Sequence, residues 1–150
     1  MSQTHTALPG QGLRFLLVED HEFQRRLLAR LLATLGAAAV YEAADGAAAL
    51  EIAADPASAL DIVISDLSMP GMNGLQLADA LGATHPGLSL ILCSALGPKM
   101  LETMRTMACA SEVRLLGALA KPLTPASLAP LIAAHRQACG TAAAAAPAGA

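Results

Sequence analysis

Residues 62–74 read IVISDLSMPGMNG. Ile62, Val63 and Ile64 are β-branched and favour an extended strand, Met69-Pro70-Gly71 supplies a tight turn, and Asp66 stands where the apolar run ends. An unpaired carboxylate at the end of a buried strand costs free energy, so a cation is expected beside it. The stretch therefore decides two things together. A near-continuous apolar strand belongs to a parallel sheet covered on both faces, and the carboxyl ends of such strands are where these sheets bind ligands.

Working outward, short apolar runs alternate with longer stretches of helical periodicity. Leu13–Val18 reads as a first strand, and Phe23, Leu27, Leu28, Leu31, Leu32 and Leu35 then recur at helical spacing until Gly36 stops the helix. Ala39–Glu42 is a weaker second strand, and Asp45 caps a helix from Gly46 to Ala54 that Asp55-Pro56 ends. The third strand, Asp61–Ser65, runs into the quoted segment, and a third helix opens at Gly74. Leu88–Cys93, a helix over Pro98–Ala110 and Val113–Leu119 follow, and Thr124-Pro125 opens a last helix with Leu128, Leu131, Ile132 and His135 on one face. Five strands alternating with five helices imply right-handed βαβ units and an α/β fold.

The chain has 150 residues, enough for one domain with a real core. A net charge of -3 and only 2% aromatic residues offer neither a basic stripe nor stacking platforms, so no direct nucleic-acid role is expected. No run approaches the roughly 20 apolar residues of a membrane span, and MSQTHTALPGQG at residues 1–12 lacks a secretory pattern. Cys93, Cys109 and Cys139 are far apart and form no CxxC pair, which reads as reduced thiols in a cytoplasmic protein, Cys93 being a small core residue. Residues 1–12 read as a flexible segment and 139–150, ending in TAAAAAPAGA, as a disordered Ala-rich tail around a domain over 13–138.

The strand ends collect a polar set. Strand 1 ends in Glu19-Asp20, strand 3 in Asp66, strand 4 in Ser94 and strand 5 in Lys121-Pro122. Three neighbouring carboxylates repel unless a cation sits among them, and a hard divalent ion with oxygen ligands, Mg2+, meets that need. Metal, hydroxyl and ammonium together suit a phosphoryl group, with Asp66 as the carboxylate that attacks phosphorus.

The acidic pair in LLVEDHEFQRRLL, the acceptor in IVISDLSMPGMNG, the hydroxyl in LILCSAL and the lysine in LGALAKPLTP resemble, in order and in placement on strands, the receiver domains of two-component response regulators. The resemblance spans residues 13–136 and implies a flavodoxin-like sheet of order 2-1-3-4-5. It also implies roles. Glu19 and Asp20 would hold Mg2+, directly or through water, Asp66 would be ligand and phosphoacceptor, and Ser68 would offer its backbone carbonyl to the metal. Ser94 would bond a phosphoryl oxygen, Ala95 would leave room beside it, Lys121 would pair with Asp66 or its phosphate, and a cis bond would join Lys121 to Pro122. The implied partners are a sensor histidine kinase or histidine phosphotransfer protein upstream and an output domain or protein downstream, reached through the fourth helix, fifth strand and fifth helix, with homodimers in scope.

This sequence departs from the family at Ala118, where an aromatic residue is usual, so switching through an aromatic rotamer is not available to it. The segment from Ser94 to Lys121 is also longer than usual, and with GALAKPLTP this resembles the receivers ahead of EAL-type cyclic-di-GMP phosphodiesterase domains. Two other functions fit the residues: a Mg2+-dependent phosphohydrolase with an aspartate nucleophile, which usually carries a second aspartate where this chain has Ser68, and a constitutive interaction module. His21 reads as a solvated first-turn residue, because hard Mg2+ prefers oxygen. Arg25, Arg26 and Arg30 read as a solvated helix face, and Met100, Met104 and Met107 as core or adaptable surface.

Overall fold

The computed structural model describes residues 8–95, 97–108 and 112–145. Five strands, β1 (Arg14–Val18), β2 (Ala39–Ala43), β3 (Ile62–Asp66), β4 (Ser89–Ser94) and β5 (Arg114–Ala120), alternate with five helices, α1 (Glu22–Thr34), α2 (Gly46–Ala54), α3 (Gly74–Thr84), α4 (Pro98–Ala108) and α5 (Pro125–Ala145). Every strand pair is parallel and the order is β2-β1-β3-β4-β5. β1, β3 and β4, the apolar runs, occupy the central positions, as buried parallel strands should.

Alternation along those strands divides the core. Leu16, Val18, Val63, Leu90 and Leu92 pack with Leu77, Ala78 and Leu81 of α3 and Ala49 and Ala53 of α2 on one face. Phe15, Leu17, Ile62, Ile64, Ile91 and Cys93 pack with Leu32 of α1 and Leu128 and Ile132 of α5 on the other. The two-residue period sends adjacent side chains to opposite layers, so each central strand contributes to both halves of the core. At Gly36 the chain adopts φ +95°, the left-handed conformation that releases it from α1.

Local sequence accounts for the helix starts that aim the strand-end loops. Asp45 caps α2 by accepting from Ala48 N–H at 2.8 Å, as its position suggested. Asn73 and Gln76 form a reciprocal capping box on α3, at 2.8 and 2.9 Å. The Lys121–Pro122 bond is cis.

Several expectations need correction. The helical stripe of α1 buries Leu32, and Leu35 just beyond it, but Phe23 and Leu27 are 74% and 49% exposed. At about 3.6 residues per turn Phe23 and Leu32 stand on opposite sides of α1, so the side that carries Leu28, Leu32 and Leu35 meets the core while Phe23 and Leu27 are turned from it. The Ala-rich tail is helical as far as Ala145, because alanine, the strongest helix former, extends α5 past the sheet. The N-terminal segment is held at residues 8–12. Gly10 and Gly12 N–H bond the Leu35 and Gly36 carbonyls at 2.8 and 3.2 Å, which satisfies groups orphaned at the end of α1, and Arg136 donates to the Pro9 and Gln11 carbonyls. Cys109, residues 1–7 and residues 146–150 lie outside the described residues, as do the side chains of Met100 and Met104, whereas Met107 is exposed.

His135 is buried with the apolar face of α5, its Nδ1 2.7 Å from Ser89 Oγ. This bond ties α5 to the start of β4. Burial pushes the imidazole below its ordinary range, Asp61 opposing and Arg114 and Arg136 adding to the shift. The unfolded chain takes up this proton near its ordinary value of 6.5 while the folded chain still resists it, so stability is full above that pH and falls as pH is lowered toward the folded value. Urea midpoints measured down a pH series should therefore drop more steeply for wild type than for His135→Gln. Parallel curves would remove His135 as the cause.

Candidate functional site

β1 and β3 run side by side, with Val18 opposite Ser65, so the residues just past β1 face the last residue of β3. Asp66 ends β3, and Leu67 N–H bonds the Cys93 carbonyl at 2.9 Å, one step past the ladder. Glu19 N–H extends the β1–β2 ladder to Ala43 at 3.1 Å, and Lys121 N–H reaches the Ser94 carbonyl at 2.9 Å. Main-chain bonds thus hold the four strand ends before any side chain is considered.

The side chains converge on one ammonium. Lys121 Nζ donates to Glu19 Oε1 at 2.6 Å, Asp66 Oδ2 at 3.1 Å and Gln24 Oε1 at 3.1 Å. The carboxylates of Glu19 and Asp66 are only 6% and 7% exposed, so this pairing is what makes their burial tolerable. The second Asp66 oxygen accepts from Ser68 N–H at 3.3 Å. Ser94 is buried at the end of β4.

The two acids respond oppositely. Burial works to raise the Glu19 carboxyl, but the bonds from Lys121 and His21 hold it below the usual range. For Asp66 burial raises the carboxyl and the charge of Glu19 adds to this, and the Lys121 bond only partly offsets them. The two directions differ because Glu19 accepts from His21 as well as Lys121, while Asp66 bears the charge of Glu19. Lys121 is pushed up despite its burial, because it bonds both acids. Burial lifts the Cys93 thiol to about 12, so it is an inert core group as its sequence position suggested.

Asp20 stands apart from the lysine. Its Oδ1 is shut off from solvent and accepts no hydrogen bond, although His21 Nδ1 lies 3.3 Å away. His21 also approaches Glu19 Oε2, at 3.2 Å through its backbone N–H and 3.1 Å through Nδ1. The reading of His21 as merely solvated is therefore incomplete: the side chain is 66% exposed but its inner nitrogen faces both acids. Glu19, Asp20 and His21 place three potential ligand atoms within 4.8 Å of one another.

Sequence reasoning also missed Gln24 and Arg25. Gln24 lies three residues beyond His21, which brings it round to the same side of α1 as the acidic pair. Arg25 is not solvated like Arg26; its guanidinium donates to the Glu19 carbonyl at 2.8 Å and pairs with Glu42 at 3.0 Å. Beside the site a groove of about 610 Å³ runs between α1 and the start of α5, lined by Leu27, Leu31, Ala95, Lys121, Pro122 and Leu123 among others.

A family model described as "Response regulator receiver domain" matches residues 15–133. The chain belongs to the response regulator receiver domain family. The receiver is 34% identical over 117 residues, 78% of the chain, to the positive alginate biosynthesis regulatory protein of Pseudomonas aeruginosa, and spans 44% of that regulator's length. A receiver domain protein from Clostridium thermocellum superposes with a TM-score of 0.73 at 20% identity, covering 86% of this chain and 98% of that one. The CheX–CheY–BeF3–Mg complex from Borrelia burgdorferi has a TM-score of 0.69 at 22% identity, covering 83% and 90%. These two structures speak for the fold. Receiver domains are signalling switches, and among the described residues no helix is long and apolar enough to cross a membrane.

Proposed function

We propose that this receiver is a phosphorylation-activated switch that takes a phosphoryl group on Asp66 from a histidine kinase or histidine phosphotransfer protein. The single observation that carries this reading is Lys121 bonded at once to Glu19 and Asp66 at the ends of β1 and β3. An Asp66 carboxylate oxygen attacks phosphorus, the bond from phosphorus to the donor nitrogen breaks, and the donor imidazole leaves with the electron pair and takes up a proton. Lys121 is placed to pair with the phosphoryl oxygens as it now pairs with the carboxylate, and Ser94 to bond one of them. Asp20 Oδ1, enclosed and without a hydrogen bond, fits a cation, and the residues to hold Mg2+ are Glu19, Asp20, Asp66 and the Ser68 carbonyl. Mg2+ when bound neutralises the non-bridging phosphoryl oxygens.

Incubation with Mg2+ and a small phosphodonor, followed by intact mass analysis, should show one added phosphoryl group on wild type and none on Asp66→Asn. Equal gain by both proteins would sink the assignment. The same variant carries a stability prediction. The fold raises the Asp66 carboxyl, so the folded state holds this proton to higher pH than the unfolded state, and stability drops as pH rises through that window. At neutral pH Asp66→Asn, which relieves the repulsion from Glu19, should melt above wild type.

The modified surface read by an output domain or protein is assigned to α4, β5 and α5, in a cytoplasmic setting, with homodimerisation as one mode. Acting as a phosphoacceptor with at most slow self-dephosphorylation is favoured over phosphohydrolase turnover, because Ser68 cannot serve as the general acid that such an enzyme needs.

A further inference from the structure

The strand-end acids have an imidazole turned toward them. His21 precedes the first turn of α1, and its Nδ1 lies 3.1 Å from Glu19 Oε2 and 3.3 Å from Asp20 Oδ1. Around a cation whose ligand bonds are about 2.1 Å long, neighbouring ligand atoms stand roughly 3.0–3.4 Å apart. The two contacts have that spacing. Asp20 Oδ1 is enclosed and accepts no hydrogen bond, so His21 does not already satisfy it. The outer part of the ring is open to solvent, which leaves it free to tilt onto an ion without disturbing the core.

We propose that His21 is a further metal ligand of this receiver, and that it shifts the site from a purely oxygen set for Mg2+ toward first-row transition dications such as Ni2+ and Zn2+. The inference rests on the reading of Glu19 and Asp20 as metal ligands. Its chemistry is that of the donor atoms. Mg2+ gains little from imidazole and keeps its water, whereas affinity for a mixed nitrogen and oxygen site climbs along the first row toward nickel and copper. Carboxylates alone would also hold Ni2+ more tightly than Mg2+, so the contribution of His21 is read from a difference between variants.

The experiment measures binding of Ni2+ and of Mg2+ separately, by equilibrium dialysis near neutral pH, to wild type, His21→Ala and Asp20→Asn. Ni2+ is the probe because Zn2+ would also compete for the exposed Cys139 thiol. His21→Ala should lose roughly tenfold or more in Ni2+ affinity while Mg2+ affinity stays within about twofold. Circular dichroism checks that the variant folds, which is expected for a side chain that is mostly exposed. In wild type, paramagnetic Ni2+ should shift or broaden the His21 ring resonances selectively against those of His85 and His135. An equal loss of both ions in His21→Ala, or no loss of either, overturns the proposal while leaving the oxygen ligands in place. Binding of neither ion to wild type, or full binding of both by Asp20→Asn, overturns the metal reading of the acidic pair and this inference with it. Mg2+-dependent phosphorylation of wild type tells these failures apart, since it persists when only the His21 assignment is wrong.

Discussion

Lys121→Ala is expected to lower stability by about 2–3 kcal/mol and to slow phosphoryl acceptance on Asp66 by roughly 10²–10³-fold. Removing one partner from a fully buried ion pair costs about 3–5 kcal/mol because the remaining charge is left alone. Here the acids are nearly buried but the Lys121 side chain is 21% exposed, so water reaches the gap and the lower figure applies. The effect has a pH signature at both ends. The folded Lys121 is pushed up, so its contribution is complete below its unfolded value near 10.5 and fades as pH rises past the folded one. The Glu19 carboxyl is held down, so the difference between variant and wild type also closes as acid protonates Glu19. Mg2+ should restore more stability to the variant than it adds to wild type, because it replaces the lost positive charge. Urea unfolding across pH, with and without Mg2+, measures all of this. A variant as stable as wild type at neutral pH would mean that solvent already screens the two acids.

Gly74→Ala is expected to destabilise the receiver by about 1–3 kcal/mol and to slow phosphorylation as well, although Gly74 touches no phosphoryl group. A β-carbon at this position would meet the Asp66 carbonyl oxygen at 2.9 Å, Leu67 Cα at 3.1 Å and Leu92 Cδ2 at 3.1 Å. Two of these three atoms are backbone and cannot rotate away. Helix propensity alone favours alanine over glycine by at most about 1 kcal/mol, so local preference and packing disagree in sign, and the clash decides. Relief requires α3 to move off β3 or Asp66 to move with it. Gly97→Ala is the control, with no atom within 4 Å of its β-carbon and no positive φ. Thermal melts and phosphorylation time courses on both variants test the claim. An unchanged rate in a destabilised Gly74→Ala would show that the helix moves and the acid stays.

The sheet and the core of the site were legible for a physical reason. Ile62-Val63-Ile64 and Leu90-Ile91-Leu92 are apolar on both faces, which only a central parallel strand needs, and Glu19, Asp20, Asp66 and Ser94 follow central runs while Lys121 follows the edge strand β5. What the chain kept hidden depends on direction in space. Phe23 and Leu32 both belong to the apolar series of α1, but helix geometry puts them on opposite sides, and which side meets the sheet is set by how α1 packs. His21, Gln24 and Arg25 reach Glu19 or Lys121 only because α1 begins immediately after the acidic pair and turns back over it. Low complexity and high helix propensity point in opposite directions in a run of alanines, and as far as Ala145 the propensity prevails. Asn73 and Gln76 were a missed signal in the sequence itself, since a polar cap followed three residues later by glutamine marks a helix start.

The main-chain bonds beyond the strands, from Leu67 to Cys93, from Glu19 to Ala43 and from Lys121 to Ser94, have a consequence for how the receiver reports its state. The first extends the central β3–β4 ladder and the other two the ladders to the edge strands β2 and β5, and amides in such ladders exchange through larger openings than amides in loops. The strand ends around Asp66 are therefore expected to exchange with the core rather than with the loops around them. The acids and lysine there were gathered when the chain folded, so under the proposed function a phosphoryl group would meet groups whose ordering entropy has already been spent. Whatever rearranges afterwards must lie farther out, in segments whose hydrogens exchange quickly, and a deuterium-uptake map would separate the still part of the molecule from the part that speaks.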